Sequence, residues 1–154
     1  MGKRQLPDDF KEFIQCLNKN EVRYLLVGGW AVGIYGNPRA TKDIDFLIAI
    51  DTDNIENLQK ALSEFGAPTV NDSVFQETGN VFRMGRSPIQ IDIINQADGI
   101  HFEECYPERE TIKVEGIELS IISRKDLLRN KKASGRYRDL ADAEFLESDT
   151  VNQP

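Results

Sequence analysis

The sequence predicts an α+β fold, and three observations carry that expectation. Apolar residues recur at helical spacing near the start, at Phe10, Phe13, Ile14 and Leu17. In the middle they fall at every second position, as with Ile44, Phe46 and Ile48, the period of a strand with one face buried. Helical patterns return at the end, over Arg124 to Lys132 and Arg138 to Leu146. At 154 residues the chain reads as one domain, residues 1–147, followed by a frayed tail from Ser148 to Pro154. That length buries roughly 70% of the unfolded surface and needs no disulfide scaffold.

Taken in order, the first helix exits at Asn18 to Asn20, and Arg23 to Val27 reads as a strand. Gly28 and Gly29 end that strand. Trp30, Ala31, Ile34 and Tyr35 then form the apolar face of a short helix closed by Gly36, Asn37 and Pro38. Asp43 to Ile50 is the next strand, with Asp43, Asp45 and Leu47 on the face opposite Ile44. Asp53 with Glu56 has the pattern of a capping box, opening a helix through Leu58, Leu62 and Phe65 that stops at Gly66 and Pro68. The same DTDN run is no calcium loop, because Ile55 holds its fifth position and no glycine its sixth. Val74 to Met84 and Ile89 to Asn95 read as strands joined by a turn at Gly85 to Pro88. Thr111 to Ile122 reads as a hairpin around Gly116.

Charge and composition exclude several classes. With 19 Lys and Arg against 26 Asp and Glu, the net charge of −7 repels a long nucleic-acid duplex, which draws on surplus cations. A local basic cluster runs against that trend from Arg124 to Arg138. No apolar run approaches the ~20 residues of a membrane span. The start, MGKRQLPDDF, lacks the apolar core of a secretory leader, and Cys16 and Cys105 show no metal-ligand spacing. A cytoplasmic location is expected.

The chemistry concentrates in three aspartates. Asp43 and Asp45 share one face of one strand, and Asp92 interrupts the apolar run Ile91 to Ile94. A carboxylate inside a sheet is penalised unless it is bonded, paired or coordinated, and clustered carboxylates raise one another's pKa. A hard divalent cation such as Mg²⁺ relieves both penalties and keeps coordination room for phosphate. All three are therefore expected to converge on one cation. Read alone, a D-x-D pair is more often a solvated strand edge or a cap. What adds weight is the glycine pair upstream, at a strand-to-helix turn where free backbone N–H groups suit phosphate oxygens.

In order and spacing, the strand ending at Gly28-Gly29, the Asp43-Ile44-Asp45 strand and the later strand with Asp92 resemble the nucleotidyltransferase superfamily that includes DNA polymerase beta. More narrowly, GGWAVGIYGNPRATKDIDFLI is similar to the small bacterial nucleotidyltransferases, among them lincosamide-modifying enzymes and toxin subunits of abortive-infection systems. The ending KKASGRYRDLADAEFL resembles theirs too. The resemblance implies a mixed β-sheet flanked by helices, the nucleotidyltransferase fold with C-terminal helices. It also implies transfer of a nucleoside monophosphate from a nucleoside triphosphate (NTP) to an acceptor, with release of pyrophosphate. Asp43, Asp45 and Asp92 would be catalytic, holding two Mg²⁺ ions between them.

Gly28 and Gly29 would admit the triphosphate. Many superfamily members have Gly-Ser there, so this chain lacks a hydroxyl and leans on backbone amides and on Arg39. Arg39 is equally readable as a surface ion pair, and Thr41 as a brace for its loop. Lys131 matches a lysine of the relatives' ending and is expected to meet the triphosphate, although a basic helix face is ordinarily just solvated. Arg136 also matches, while Asp139, Asp142 and Arg138 read as structural. His101 reads as a loop residue, Trp30 as core. The acceptor is a small molecule, a protein or an RNA end, and a homodimer or a partner subunit would complete its pocket. The alternative is a module of this fold that binds nucleotide without turnover, or pairs with another protein as a toxin–antitoxin component does.

Overall fold

In the computed structural model, which describes residues 6–37, 43–86 and 89–151, six strands form one sheet. In chain order they are β1 (Tyr24–Val27), β2 (Asp43–Ile48), β3 (Val81–Arg86), β4 (Ile89–Ile94), β5 (Glu110–Val114) and β6 (Ile117–Ile121). Across the sheet the order is β3-β4-β2-β1-β6-β5. The β2–β4 and β1–β6 pairs are parallel and the others antiparallel, so the sheet is mixed, as expected.

Helices α1 (Asp8–Lys19), α2 (Gly28–Ile34), α3 (Thr52–Phe65), α4 (Ser73–Gln76), α5 (Phe102–Cys105), α6 (Arg124–Ser134) and α7 (Tyr137–Val151) surround it, and a 3₁₀ turn, Tyr106–Glu108, follows α5. Phe10, Phe13, Ile14 and Leu17 make α1 amphipathic, and all four are buried. Phe13 meets Phe46 edge-on at 5.5 Å and Phe65 at 5.1 Å, so α1 and α3 share the sheet face that carries Ile44, Phe46 and Ile48. Each such ring pair contributes ~0.5–1.5 kcal/mol beyond its buried area. Helix α2 packs on β1 and β2 and meets α6, which pairs with α7. No helix among the described residues is long and apolar enough to cross a membrane.

Four elements differ from expectation. The helix cap lies at Asp51, whose carboxylate accepts from the Asn54 N–H, so α3 starts two residues before the expected capping box. Val74 to Met84 is not one strand. Its first part is α4, pinned because Asn95 Nδ2 donates to the carbonyls of Phe75 (2.7 Å) and Glu77 (2.8 Å) and because Phe75 packs on Phe82 at 5.3 Å. The segment from Phe102 to Glu108 lies outside the expected elements and forms α5 and the 3₁₀ turn. Helix α7 runs on to Val151, past the point where fraying is expected, with Leu146 fully buried and Glu147 paired with Lys132.

Candidate active site

Strand β1 delivers Val27 opposite Asp45, and the chain then turns through Gly28 with φ at +75°. A Cβ at Gly28 would overlap the Asp45 carboxylate, so glycine is required twice, for its left-handed backbone and for the close approach. Helix α2 begins there and spans only seven residues. Any phosphate grip at this turn rests on the individual amides of Gly28 and Gly29 rather than on a long helix dipole.

The parallel register of β2 and β4 places Asp45 directly beside Asp92, and Asp43 beside Gln90. Residues in register across a parallel pair share a face, so the three aspartates lie on the same side of the sheet. Burial, followed by the charges of Asp92 and Asp43, pushes the Asp45 carboxyl up to about 7, against the opposing pull of Lys131 and Arg83.

Asp92 itself is satisfied by protein. From the edge strand β3, Arg83 lies directly opposite and donates from Nε to Asp92 Oδ1 at 2.9 Å and from Nη2 to Oδ2 at 3.3 Å. Gln90 Nε2 lies within 3.4 Å of both oxygens. The three aspartates expected to share a cation thus lie on one face, with Asp92 paired to Arg83. Among the described residues no three acidic, histidine or cysteine side chains are gathered closely enough to enclose a metal ion. The donor chemistry suits a hard divalent cation: carboxylate oxygens from adjacent strands, that of Asp45 half-buried and pushed up by burial and by its acidic neighbours.

A cleft of about 690 Å³ opens over this face. Gly28, Gly29, Asp43 and Asp45 line one side, and Lys131, Arg136 and Arg138 another. Lys131 is buried, and its ammonium is shared between Asp139 (2.9 Å) and Asp142 (3.2 Å) of α7. Its charge holds α7 onto α6. Among the described residues the exposed cations facing the cleft are Arg136, which the sequence matches to the relatives' ending, and Arg138, which reads there as structural. The signal was present in the basic run from Arg124, but the run alone does not say which of its cations meet acidic partners.

Arg39 and Thr41 lie outside the described residues. Trp30 is core, edge-on to Phe10 at 5.7 Å. His101 is exposed at the start of α5 and lines a second cavity of about 500 Å³ that shares Gln96, Ala97 and Asp98 with the cleft. Both cysteines are free.

A mixed sheet with a glycine turn backed onto paired aspartates at a cleft defines a nucleotidyltransferase. Residues 5–152 match the family described as nucleotidyltransferase of unknown function (DUF6036), and the chain belongs to it. Its activity is nucleotidyl transfer. Among solved structures the fold is similar to that of LnuA, a lincosamide antibiotic adenylyltransferase determined with lincomycin bound, at TM-score 0.60 and 16% identity over 94% of this chain and 98% of that one. It is also similar to ANT(2″)-Ia, determined with adenylyl-2″-tobramycin, at TM-score 0.58 and 12% identity, covering 92% of this chain and 87% of that one. An antigenic nucleotidyltransferase-like protein from Paracoccidioides brasiliensis matches at TM-score 0.55 and 20% identity, covering 93% and 78%. No curated protein sequence matches significantly.

Proposed function

We propose that the protein transfers a nucleoside monophosphate from an NTP to an acceptor hydroxyl in a Mg²⁺-dependent reaction that releases pyrophosphate. The observation that carries this reading is the contact of Gly28 with Asp45 beside Asp92, at the floor of a cleft with arginines on its wall. Asp43 and Asp45 would hold Mg²⁺, with Asp92 joining them when Arg83 lets go. Bound there, Mg²⁺ supplies Lewis-acid neutralisation of the triphosphate and of the developing charge at the α-phosphorus. The amides of Gly28 and Gly29 orient the β- and γ-phosphates, and Arg136 and Arg138 compensate their charge. Arg39, which follows the glycine helix in sequence, is assigned to the same phosphates. Lys131 acts through α7, which it holds in place. The acceptor oxygen bonds to the α-phosphorus as the bridging oxygen to the β-phosphorus leaves with pyrophosphate, and Asp92 takes the hydroxyl proton.

Lincomycin and tobramycin accompany two structural relatives, which supports a small hydroxylated acceptor. A protein or an RNA end stays within the same chemistry. The free thiols and the absence of a spanning helix among the described residues support a cytoplasmic protein. Incubation with each of the four NTPs and Mg²⁺, alone and with cell extract, followed by mass spectrometry, tests the reading. An acceptor heavier by one nucleoside monophosphate is expected. Nucleotide binding with no adduct and no pyrophosphate would favour the non-catalytic module instead, a reading that the Arg83–Asp92 pair also supports.

A further inference from the structure

The third carboxylate of the constellation is occupied, and its occupant is part of the chain. Both oxygens of Asp92 accept from Arg83, and the Asp92 side chain is 7% exposed whereas that of Arg83 is 58% exposed. The two residues are cross-strand partners in the β3–β4 pair, so the contact is set by register rather than by a wandering side chain. A planar guanidinium that donates to both oxygens fixes the carboxylate in one orientation and covers the lone pairs that a cation would need. Among the described residues strand β3 is also the edge of the sheet. Arg83 can therefore swing outward without disturbing core packing, whereas Asp92 cannot follow it.

We propose that Arg83 is a positioning residue that holds Asp92 out of metal coordination in the nucleotide-free protein, so that the guanidinium and a divalent cation compete for the same carboxylate. The inference rests on the metal-binding reading of the aspartates given above. Asp43 and Asp45 alone form the entry site for the cation, and the third ligand becomes available only when Arg83 moves away. A site with two carboxylates holds a cation more weakly than one with three, so the resting protein carries little metal until a nucleotide brings its own phosphate oxygens.

The test is titration of the nucleotide-free full chain with Mn²⁺, read by the electron paramagnetic resonance of free Mn²⁺. Wild type, Arg83→Gln, Arg83→Lys and Asp45→Asn are compared. Arg83→Gln is expected to bind Mn²⁺ about tenfold more tightly than wild type, as one charge-assisted competitor is removed. Arg83→Lys, which keeps the charge and loses the fork, should fall between them. Thermal melting provides a second readout: Mn²⁺ should raise the melting temperature of Arg83→Gln by more than it raises that of wild type. Equal or weaker Mn²⁺ binding by Arg83→Gln, with binding in wild type abolished by Asp45→Asn, overturns the role of Arg83 and leaves the metal site standing. Mn²⁺ binding that Asp45→Asn does not change, or no binding by any of the four proteins, overturns the metal reading and the proposal with it.

Discussion

Asp45 is half-buried beside two other carboxylates, and Lys131 and Arg83 offset only part of their effect. Its pKa of about 7, against 3.8 for an ordinary aspartate, gives the sign of the effect on stability. Because the folded value is the raised one, the folded protein favours the protonated form. That contribution is complete below the unfolded value and is lost as pH rises from about 4 through about 7. Metal-free Asp45→Asn should therefore melt higher than wild type at pH 8, by on the order of 1–3 kcal/mol, with the difference shrinking toward pH 4. The same variant should lose transfer by more than the ~10–100-fold typical of second-shell metal changes. Pyrophosphate release and melting curves across pH check both halves. Wild-type turnover would remove the two-metal chemistry, and a flat melting difference would remove the charge conflict. At Gly28 the constraint is steric. Gly28→Ala must shift the Asp45 carboxylate or the turn, and it places a side chain at positive φ, so a cost of ~1–2 kcal/mol and at least a tenfold loss of activity are expected. Melting and pyrophosphate assays of Gly28→Ala test this, and an unchanged variant would mean that the close approach is not needed.

Among the elements, α7 is joined to α6 by a buried lysine as well as by apolar packing through Ala143 and Leu146. Lys131 meets Asp139 and Asp142, and the Ser134 hydroxyl donates to Asp139 as well. Burial alone would push the Asp139 carboxyl up, but the hydrogen bonds from Ser134 and Lys131, with the charges of Lys131 and Arg136, bring it below its ordinary range. Lys131→Met would leave two carboxylates without their shared cation, a change worth ~3–5 kcal/mol for a broken buried pair. Faster hydrogen exchange in residues 137–146 should accompany the drop in melting temperature, and exchange at the wild-type rate would show that apolar contacts hold α7 by themselves. This attachment was not legible in the sequence, where Lys131 looked like any cation of a basic run. The glycine-marked turns, the period of β2 and β4 and the hairpin at Gly116 were legible, since each depends on residues close in sequence. Helix α4 was missed because Val74 and Phe75 are good strand formers, and what makes them helical is Asn95, twenty residues beyond Phe75. Arg83 was missed for a related reason. Its partnership with Asp92 depends on the register of the β3–β4 hairpin, and only a turn placed so that Arg86 pairs with Ile89 brings the two together.

For the whole molecule, the deciding quantity is the sign of the charge that meets the nucleotide. The chain carries a net −7, and the floor of its cleft presents Asp43 and Asp45. A nucleoside triphosphate brings about four more negative charges to the same place. Lys131 is neutralised by α7 and Arg83 by Asp92, so Arg136 and Arg138 are the cleft-lining cations that the described residues leave exposed. Two solvated arginines cannot offset that repulsion, because exposed charges are screened and each contributes little. A divalent cation between carboxylate and phosphate changes the balance, since it attracts both sides across a few ångströms. Nucleotide binding is therefore expected to depend on the cation, with affinity for ATP falling by at least about a hundredfold when Mg²⁺ is replaced by excess chelator, equivalent to roughly 2.7 kcal/mol. Isothermal calorimetry in the two buffers at one fixed ionic strength measures the difference directly. Equal affinity would mean that the triphosphate sits on the arginine wall and away from the aspartates, which would leave the fold intact as a nucleotide-binding module and remove the catalytic arrangement.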